Sequence, residues 1–391
     1  MPAPLRIALV AGEPSGDLLA SHLLAALRGR YPDAEFFGIG GSLMQAQGFT
    51  SLHPFEALAV NGFVDALRHA PEILAIRARL RQSLLATPPD LFIGIDAPDF
   101  NLALEARLKA AGIPTVHFVS PSIWAWRGGR IHKIGAAVSH ILCLFPCEPE
   151  MYQRAGIPAT YTGHPLADAF PIEPDRAAAR AALQLPQDAT LIALLPGSRE
   201  AEVRTLAPTY LAAARLLAQR RANVRFLVPL ATEATQQIFR QLVAQARAED
   251  LPLTILSGQS HRVMQAADVI AVASGTASLE AALCKRPMVI CYRVGALMAH
   301  IYKRLLYLPW AGLPNILARE TLVPELLQDD FRADKLADAL AHWLDHPEAC
   351  AELTRRFTAL HHTLRQNTAE TASAVIAQLL PPRSQKTAGS R

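Results

Sequence analysis

The sequence predicts an α/β protein of two Rossmann-like halves facing a cleft, each a parallel sheet wound with helices. Three observations carry this. Short, wholly apolar runs recur, and most end in glycine or proline, as strands buried on both faces do. Segments of helical length and spacing separate them. The same grammar restarts after a Pro- and acid-rich joint near the middle of the 391 residues, a length that suits two domains.

In the first half, RIALVAG (6–12) reads as a strand closing on glycine, and 17–32 as a helix stopped by Pro32. AEFFGIGG (34–41) is strand then glycines. DLFIGIDAP (90–98) is another strand, followed by a helix over about 101–111 and by IPTVHFVSP (113–121). HILCLFP (140–146) and ATYTGHP (159–165) follow. The joint is GHPLADAFPIEPDRAAARAAL (163–183), with the boundary expected between 168 and 169. In the second half, TLIALLPGS (190–198) runs through a glycine turn into a long helix over about 202–221. VRFLVPLA, LTILSG, DVIAVASGT and PMVICY are four more strands. Residues 330–380 read as helices, and the polar stretch 381–391 as a disordered tail.

Hydrophobic residues make up 51% and charged residues 18% of the chain, enough apolar material for real cores. Five cysteines, at 143, 147, 284, 291 and 350, are too few and too odd in number for a disulfide framework. No small-residue cleavage site follows the first apolar run, and no apolar stretch is long enough to span a bilayer, so a soluble cytoplasmic protein is expected. A net charge of +4 suits anionic ligands or an anionic membrane surface and is too mild for nucleic acid. Cys143 and Cys147 lack a companion pair at zinc spacing, and H-E-x-x-H does not occur. No D-x-D carboxylate pair occurs, which disfavours enzymes that hold a metal ion on such a pair. His342, His346, His361 and His362 read as solvated helix faces.

Ligands of open α/β sheets sit at the carboxyl ends of the strands, so the loops after strands carry the information. After the first strand, Gly12-Glu13-Pro14-Ser15-Gly16-Asp17 offers backbone N–H groups to an anion, with Ser15 placed to cap the next helix. In Gly94-Ile95-Asp96-Ala97-Pro98-Asp99 two carboxylates end an apolar strand. A charge there is costly unless it meets water, a partner or a substrate. Asp96 is placed to be a general base; Asp99 is a second candidate, or a helix cap. Ser120-Pro121-Ser122-Ile123-Trp124-Ala125-Trp126-Arg127 reads as a loop flooring a cleft, or as packing at its edge.

In the second half, Gly197, Ser198 and Arg199 follow a strand and open a helix that begins with Glu200 and Glu202. Glycine lets backbone approach a phosphate, the helix N-terminus and Ser198 donate hydrogen bonds, and Arg199 supplies charge. Ser274, Gly275, Thr276 and Ser278 form a second such turn. Glu280 falls one helical turn inside it, where a carboxylate can take both hydroxyls of a ribose. Two phosphate-type turns and an acidic ribose ligand in one half point to a nucleoside diphosphate.

GEPSGD, GIGG, GIDAPDFN, SPSIWAWR, GHP, LLPGSR-x-x-E, ASGTASLE and LPNIL occur in this order over residues 5–380. Together they resemble the lipid-A-disaccharide synthases, bacterial inverting glycosyltransferases of the B-type fold. The resemblance implies a UDP-2,3-diacylglucosamine donor and a 2,3-diacylglucosamine 1-phosphate (lipid X) acceptor. The products would be a β-1,6-linked lipid A disaccharide 1-phosphate and UDP, made for lipopolysaccharide in the cytoplasm at the inner membrane. It implies no metal and no cofactor. It adds Asn315, of LPNIL, as a donor-side group, with Tyr292 and Arg293 as weaker ones, and sets Glu13, Ser15, Gly16, Asp99 and Trp126 on the acceptor side. B-type transferases return their last helix to the first domain, so 355–380 is expected to leave the donor domain of 169–354 and pack on 1–168. A homodimer exchanging halves stays open. Another B-type UDP-sugar enzyme, a peptidoglycan-lipid transferase or an epimerase, is the alternative, and GIDAPDFN and SPSIWAWR argue against it.

Both implied substrates carry acyl chains, so the site must open toward the bilayer. Residues 57–74 place apolar groups on one face, with Arg68, Arg77, Arg79 and Arg81 close by. Phe63, Val64 and Leu67 are expected to be exposed and to enter the membrane interface on the cytoplasmic side of the inner membrane. The same face could instead pack on the sheet. A second basic-aromatic patch lies at 301–310.

Overall fold

The computed structural model describes residues 4–58, 63–125, 128–295 and 307–380, with the side chains of 63–68 excepted. The chain divides into two compact units, residues up to Asp168 together with those from Leu364 onward, and Ala169–Thr363.

In the first unit, β1 (Arg6–Ala11), α1 (Pro14–Arg30), β2 (Glu35–Ile39), α2 (Ser42–Ala46), β3 (Thr50–Ser51) and α3 (Phe63–Ala86) lead to β4 (Leu91–Ile95) and α4 (Pro98–Ala110). Then come β5 (Thr115–Phe118), α5 (Ile131–Ala137), β6 (His140–Cys143), α6 (Glu148–Arg154), β7 (Ala159–Tyr161) and α7 (Pro165–Ala169). Among the described residues the seven strands run in the order β3-β2-β1-β4-β5-β6-β7, all parallel. Both faces are covered, which is why the strands read as continuous apolar runs. Leu9, Ile93 and Val116 pack under α1, while Ala8, Val10 and Phe92 pack under α3 and α4.

The second unit runs α8 (Arg176–Ala182), β8 (Thr190–Leu195), α9 (Glu200–Arg220), β9 (Val224–Leu230), α10 (Glu233–Gln245), β10 (Leu253–Ser257), α11 (Ser260–Ala266) and β11 (Val269–Ala273). It continues with α12 (Thr276–Leu283), β12 (Met288–Tyr292), α13 (Leu313–Ala318), β13 (Glu325–Leu327), α14 (Ala333–Asp345) and α15 (Pro347–Leu364). Its strands, again parallel, take the order β10-β9-β8-β11-β12-β13 among the described residues. Each sheet therefore reverses its winding between its first and fourth strands, β1 and β4 in one, β8 and β11 in the other. Ligands bind at that point in open α/β sheets.

The last helix, α16 (Thr368–Leu379), belongs to the first unit. Ala372, Ile376 and Leu380 are buried in the cluster that holds Leu23 and Leu27 of α1. Arg30 Nε donates to Ser373 Oγ at 2.5 Å. The Asp168 carboxylate accepts from the Asn367 and Thr368 N–H groups at 3.0 and 2.7 Å, closing the helix N-terminus. The returning segment is shorter than the expected 355–380. The chain breaks at 365–367, with Asn367 left-handed at φ 52°, and α15 up to Thr363 stays with the second unit. His361 of α15 corrects the solvated reading: it is fully buried, with Nδ1 against the Lys285 ammonium. Among the described residues, no helix is long and apolar enough to cross a membrane. The expected tail, 381–391, lies outside the described residues.

Candidate functional site

At the switch point of the second unit, the loops after β8 and β11 border a cavity of about 440 Å³ lined by Gly197, Ser198, Arg199, Ser274, Gly275 and Glu280, among others. Gly197 (φ 106°) and Gly275 (φ 135°) turn the chain through backbone that a Cβ disfavours. The Glu202 carboxylate grips the first loop. It accepts from Ser198 N at 3.0 Å and Arg199 N at 3.2 Å, and its other oxygen lies 3.2 Å from the Arg199 guanidinium. Arg199 is 82% exposed, so a ligand can recruit it. In the second loop, Ser274 Oγ donates to Ala311 O at 2.8 Å.

Glu280 does not face solvent alone. Its Oε1 is 3.2 Å from His261 Nε2, and the hydrogen bond raises the His261 pKa above its ordinary value. Phe170 packs edge-on against the His261 ring, 4.7 Å between centroids. The sequence reading missed His261. It stands 19 positions before Glu280 on another helix, where no local pattern connects them.

Two expected donor-side groups sit behind the cavity. Ser278 is fully buried and its hydroxyl donates to Gly275 O at 2.7 Å, capping the turn. Asn315, expected to contact the donor sugar or phosphate, is fully buried. Its amide donates to Val323 O and Glu325 Oε1 at 2.9 and 2.8 Å, and its oxygen accepts from Leu322 and Val323 N–H groups. Glu325 in turn holds Ala311 N and Gly312 N, and Ala311 O takes the Ser274 hydroxyl. Among the described residues, Asn315 is linked to the cavity through Glu325, Ala311 and Ser274. Arg293 is likewise spent, donating to Gln328 O and Phe331 O.

At the switch point of the first unit, Asp96 ends β4 in a turn of two consecutive left-handed residues, φ 51° at Asp96 and 42° at Ala97. Such backbone stores strain unless its surroundings over-determine it. Its carbonyl accepts from Asn101 Nδ2 at 2.9 Å and its N–H donates to Phe118 O at 2.8 Å. The carboxylate itself makes no hydrogen bond or ion pair with a described residue. Asp99 differs. Its side chain is 88% exposed and paired with Arg130 at 2.8 Å. It does not cap α4, whose cap position is Ala97.

Facing the same end of β1, α1 starts at Pro14, so Ser15 lies exposed inside the first turn and is not the cap; Glu13 holds the cap position through its backbone. Gly16 is buried. Asp17, which the sequence reading passed over, is 4% exposed and accepts from Gly41, Leu43 and Met44 N–H groups, tying GEPSGD to GIGG. Trp126 lies outside the described residues, as do the side chains of Phe63, Val64 and Leu67 and most of 301–310. Trp124 of the same loop donates through Nε1 to the buried Glu148 carboxylate at 3.0 Å, and Phe145 N donates to it as well. Burial pushes the Glu148 carboxyl up to about 7.

Among the described residues, no three His, Cys, Asp or Glu side chains group as metal ligands. A family model described as lipid-A-disaccharide synthetase matches residues 7–376. The chain belongs to the lipid-A-disaccharide synthase family. A lipid-A-disaccharide synthase of Azoarcus sp. is 60% identical over 371 residues, covering 95% of each chain. That of Chromobacterium violaceum is 52% identical over 375 residues, 96% of this chain and 97% of the relative. Solved structures agree on the fold, the B-type arrangement of two parallel-sheet α/β domains. A UDP-GlcNAc 2-epimerase from Neisseria meningitidis bound to UDP-GlcNAc aligns with a TM-score of 0.60 at 11% identity, over 96% of this chain and 98% of that one. The Anabaena protein HepE in complex with UDP-glucose aligns at 0.55 and 14%, over 97% and 100%. Lipid-A-disaccharide synthases are glycosyltransferases.

Proposed function

We propose that this chain moves 2,3-diacylglucosamine from its UDP α-phosphate to the 6-hydroxyl of 2,3-diacylglucosamine 1-phosphate, with inversion. The products are the β-1,6 lipid A disaccharide 1-phosphate and UDP. Family membership gives the reaction. The single structural observation that carries the site assignment is the cavity of the second unit, where two loops with left-handed glycines, an exposed arginine and an inward carboxylate meet. Gly197, Ser198, Arg199, Gly275 and Thr276 suit the diphosphate, and Glu280 suits the ribose. Ser274 supports the second loop from the side.

The acceptor hydroxyl is a weak nucleophile at neutral pH, so removing its proton in the transition state accelerates attack by roughly 10²–10⁴. Asp96 carries a carboxylate without a partner among the described residues, on a fixed turn, and we assign it as that base. Asp99, already paired with Arg130, is the poorer candidate. As the C–O bond to UDP breaks, negative charge gathers on the diphosphate, where fixed N–H dipoles and Arg199 stabilise it. The base takes one proton and UDP leaves with the bonding pair. Glu13, Ser15 and Gly16 open α1 just after β1, where a Cβ on Gly16 would lie 3.7 Å from Ile95 O, next to the Asp96 turn; we assign them to the acceptor.

The acyl chains of both substrates call for a membrane-facing surface, on the cytoplasmic face of the inner membrane. We assign it to the start of α3, at Phe63, Val64 and Leu67; Leu74, farther along that helix, is 53% exposed. The function is tested with defined acyl donors. UDP release that requires lipid X, persists in EDTA and yields a product of disaccharide mass supports it. Release independent of lipid X, or a free epimerised sugar, refutes it.

A further inference from the structure

Beneath the Asp96 turn lies a buried polar cluster with no part in the chemistry above. Asn101 and Glu105 stand one helical turn apart on α4, and His117 comes from β5, where it lies beside Gly94 of β4. All three are fully buried. Glu105 Oε1 is 2.8 Å from His117 Nδ1. Asn101 Nδ2 donates to Asp96 O at 2.9 Å and reaches Ile95 O and Val10 O at 3.4 and 3.3 Å.

Gly94 makes the arrangement sterically feasible. A Cβ there would lie 2.0 Å from Glu105 Oε1 and 2.9 Å from Asn101 Cβ. The glutamate and the asparagine thus share the space over a residue with no side chain.

The cluster is costly to fold. Asn101 Oδ1, Glu105 Oε2 and His117 Nε2 are buried and have no hydrogen-bond partner among the described residues. Burial also raises the Glu105 carboxyl pKa. A well-packed apolar trio in such a place is often as stable or more stable. Groups of this kind that persist next to a strained functional turn call for a functional reason.

We propose that Asn101, Glu105 and His117 are positioning residues that hold the Asp96 carboxylate on its aim. This rests on the assignment of Asp96 as the base. Asn101 ties the Asp96 carbonyl to the ends of β1 and β4, which fixes the left-handed backbone. Glu105 occupies the space beside Asn101 over Gly94, and His117 fixes Glu105 from β5. None of the three touches substrate; each acts through the turn.

The test compares Asp96→Asn, Asn101→Asp, Glu105→Leu and Glu105→Gln in the full chain. Turnover, KM for lipid X, UDP affinity by calorimetry and Tm are measured for each. Glu105→Gln keeps an oxygen for His117 and is expected to hold kcat within about threefold. Glu105→Leu and Asn101→Asp are expected to lose about ten- to a hundredfold in kcat, the scale of a misplaced catalytic group. KM and UDP affinity should stay within about threefold, and the Tm of Glu105→Leu should match that of Glu105→Gln. Wild-type kcat in Glu105→Leu and Asn101→Asp overturns the proposal, as does a joint fall of kcat and Tm in both Glu105 variants. If Glu105→Leu does not fold, the nearly isosteric Asn101→Asp decides alone. If Asp96→Asn turns over like wild type, the base assignment falls and the proposal with it. If Asp96→Asn is inactive while the others are unimpaired, only the proposal falls.

Discussion

Replacing Glu280 with alanine removes the carboxylate that reaches the donor cavity from α12. The side chain is 17% exposed, and among the described residues only Oε1 is engaged, 3.2 Å from His261 Nε2. The second oxygen is therefore open to a ribose hydroxyl. A hydrogen bond to a charged group contributes about 1.5–3 kcal/mol, and 1.4 kcal/mol is roughly tenfold in affinity. Partial exposure argues for the lower end, so Glu280→Ala is expected to weaken UDP about tenfold. Titration calorimetry with UDP and 2′-deoxy-UDP separates this contact from general damage to the cavity. Wild type should prefer UDP by about tenfold, and Glu280→Ala should bind both alike. His261 is expected to assist. Its pKa is raised, so the ion pair with Glu280 is fully present below the ordinary histidine pKa and is lost as pH rises through the raised value. Equal binding of the two nucleotides by wild type, or an intact preference in Glu280→Ala, would refute the ribose assignment.

Arg199 is 82% exposed, so Arg199→Ala should weaken UDP by at most about 1.5 kcal/mol, the lower end for a charged hydrogen bond, while leaving uridine binding unchanged if its partner is the diphosphate; equal loss for both ligands would contradict this. Glu148 gives a pH signature. Its carboxyl rises from 4.5 to about 7, so the folded chain holds a proton that the unfolded chain releases between these values. Stability contributed by this group is therefore highest below about 4.5, falls by roughly 3 kcal/mol as pH rises from there to about 7, and levels off above. Denaturation at pH 5 and 8 should show that slope in wild type and a flatter one in Glu148→Gln. Replacing Phe63, Val64 and Leu67 together with serine should reduce vesicle binding and activity on long-chain substrates at little cost in Tm; a variant that unfolds instead places these residues in the core.

The sheets were legible because a strand covered on both faces has only apolar residues to show, as in RIALVAG and DVIAVASGT. The two loops that border the cavity of the second unit were legible for the converse reason, since glycine and hydroxyl residues at the end of such a strand have little else to do. What escaped depends on pairing across distance. Asn315 reads as a lone polar group in LPNIL, yet its amide is satisfied by Val323 and Glu325, which the chain brings back through β13. His361 looks like part of a solvated face until Lys285, 76 positions earlier, is found against it. Glu105 fits the polar side of an amphipathic helix, and only the bare backbone of Gly94 shows why it can be buried. The break before α16 carries neither proline nor glycine, so nothing in the local sequence marks where the last helix starts.

The most direct measurement is UDP release from UDP-2,3-diacylglucosamine by wild type, Asp96→Asn and Asp99→Asn, each with and without lipid X. Wild type should release UDP only with lipid X. Asp96→Asn should bind UDP normally and fall by at least about 10² in turnover, the range of a lost general base, while Asp99→Asn stays active. Near-normal turnover in Asp96→Asn with an inactive Asp99→Asn would move the base to Asp99 and contradict the reading of the strained turn.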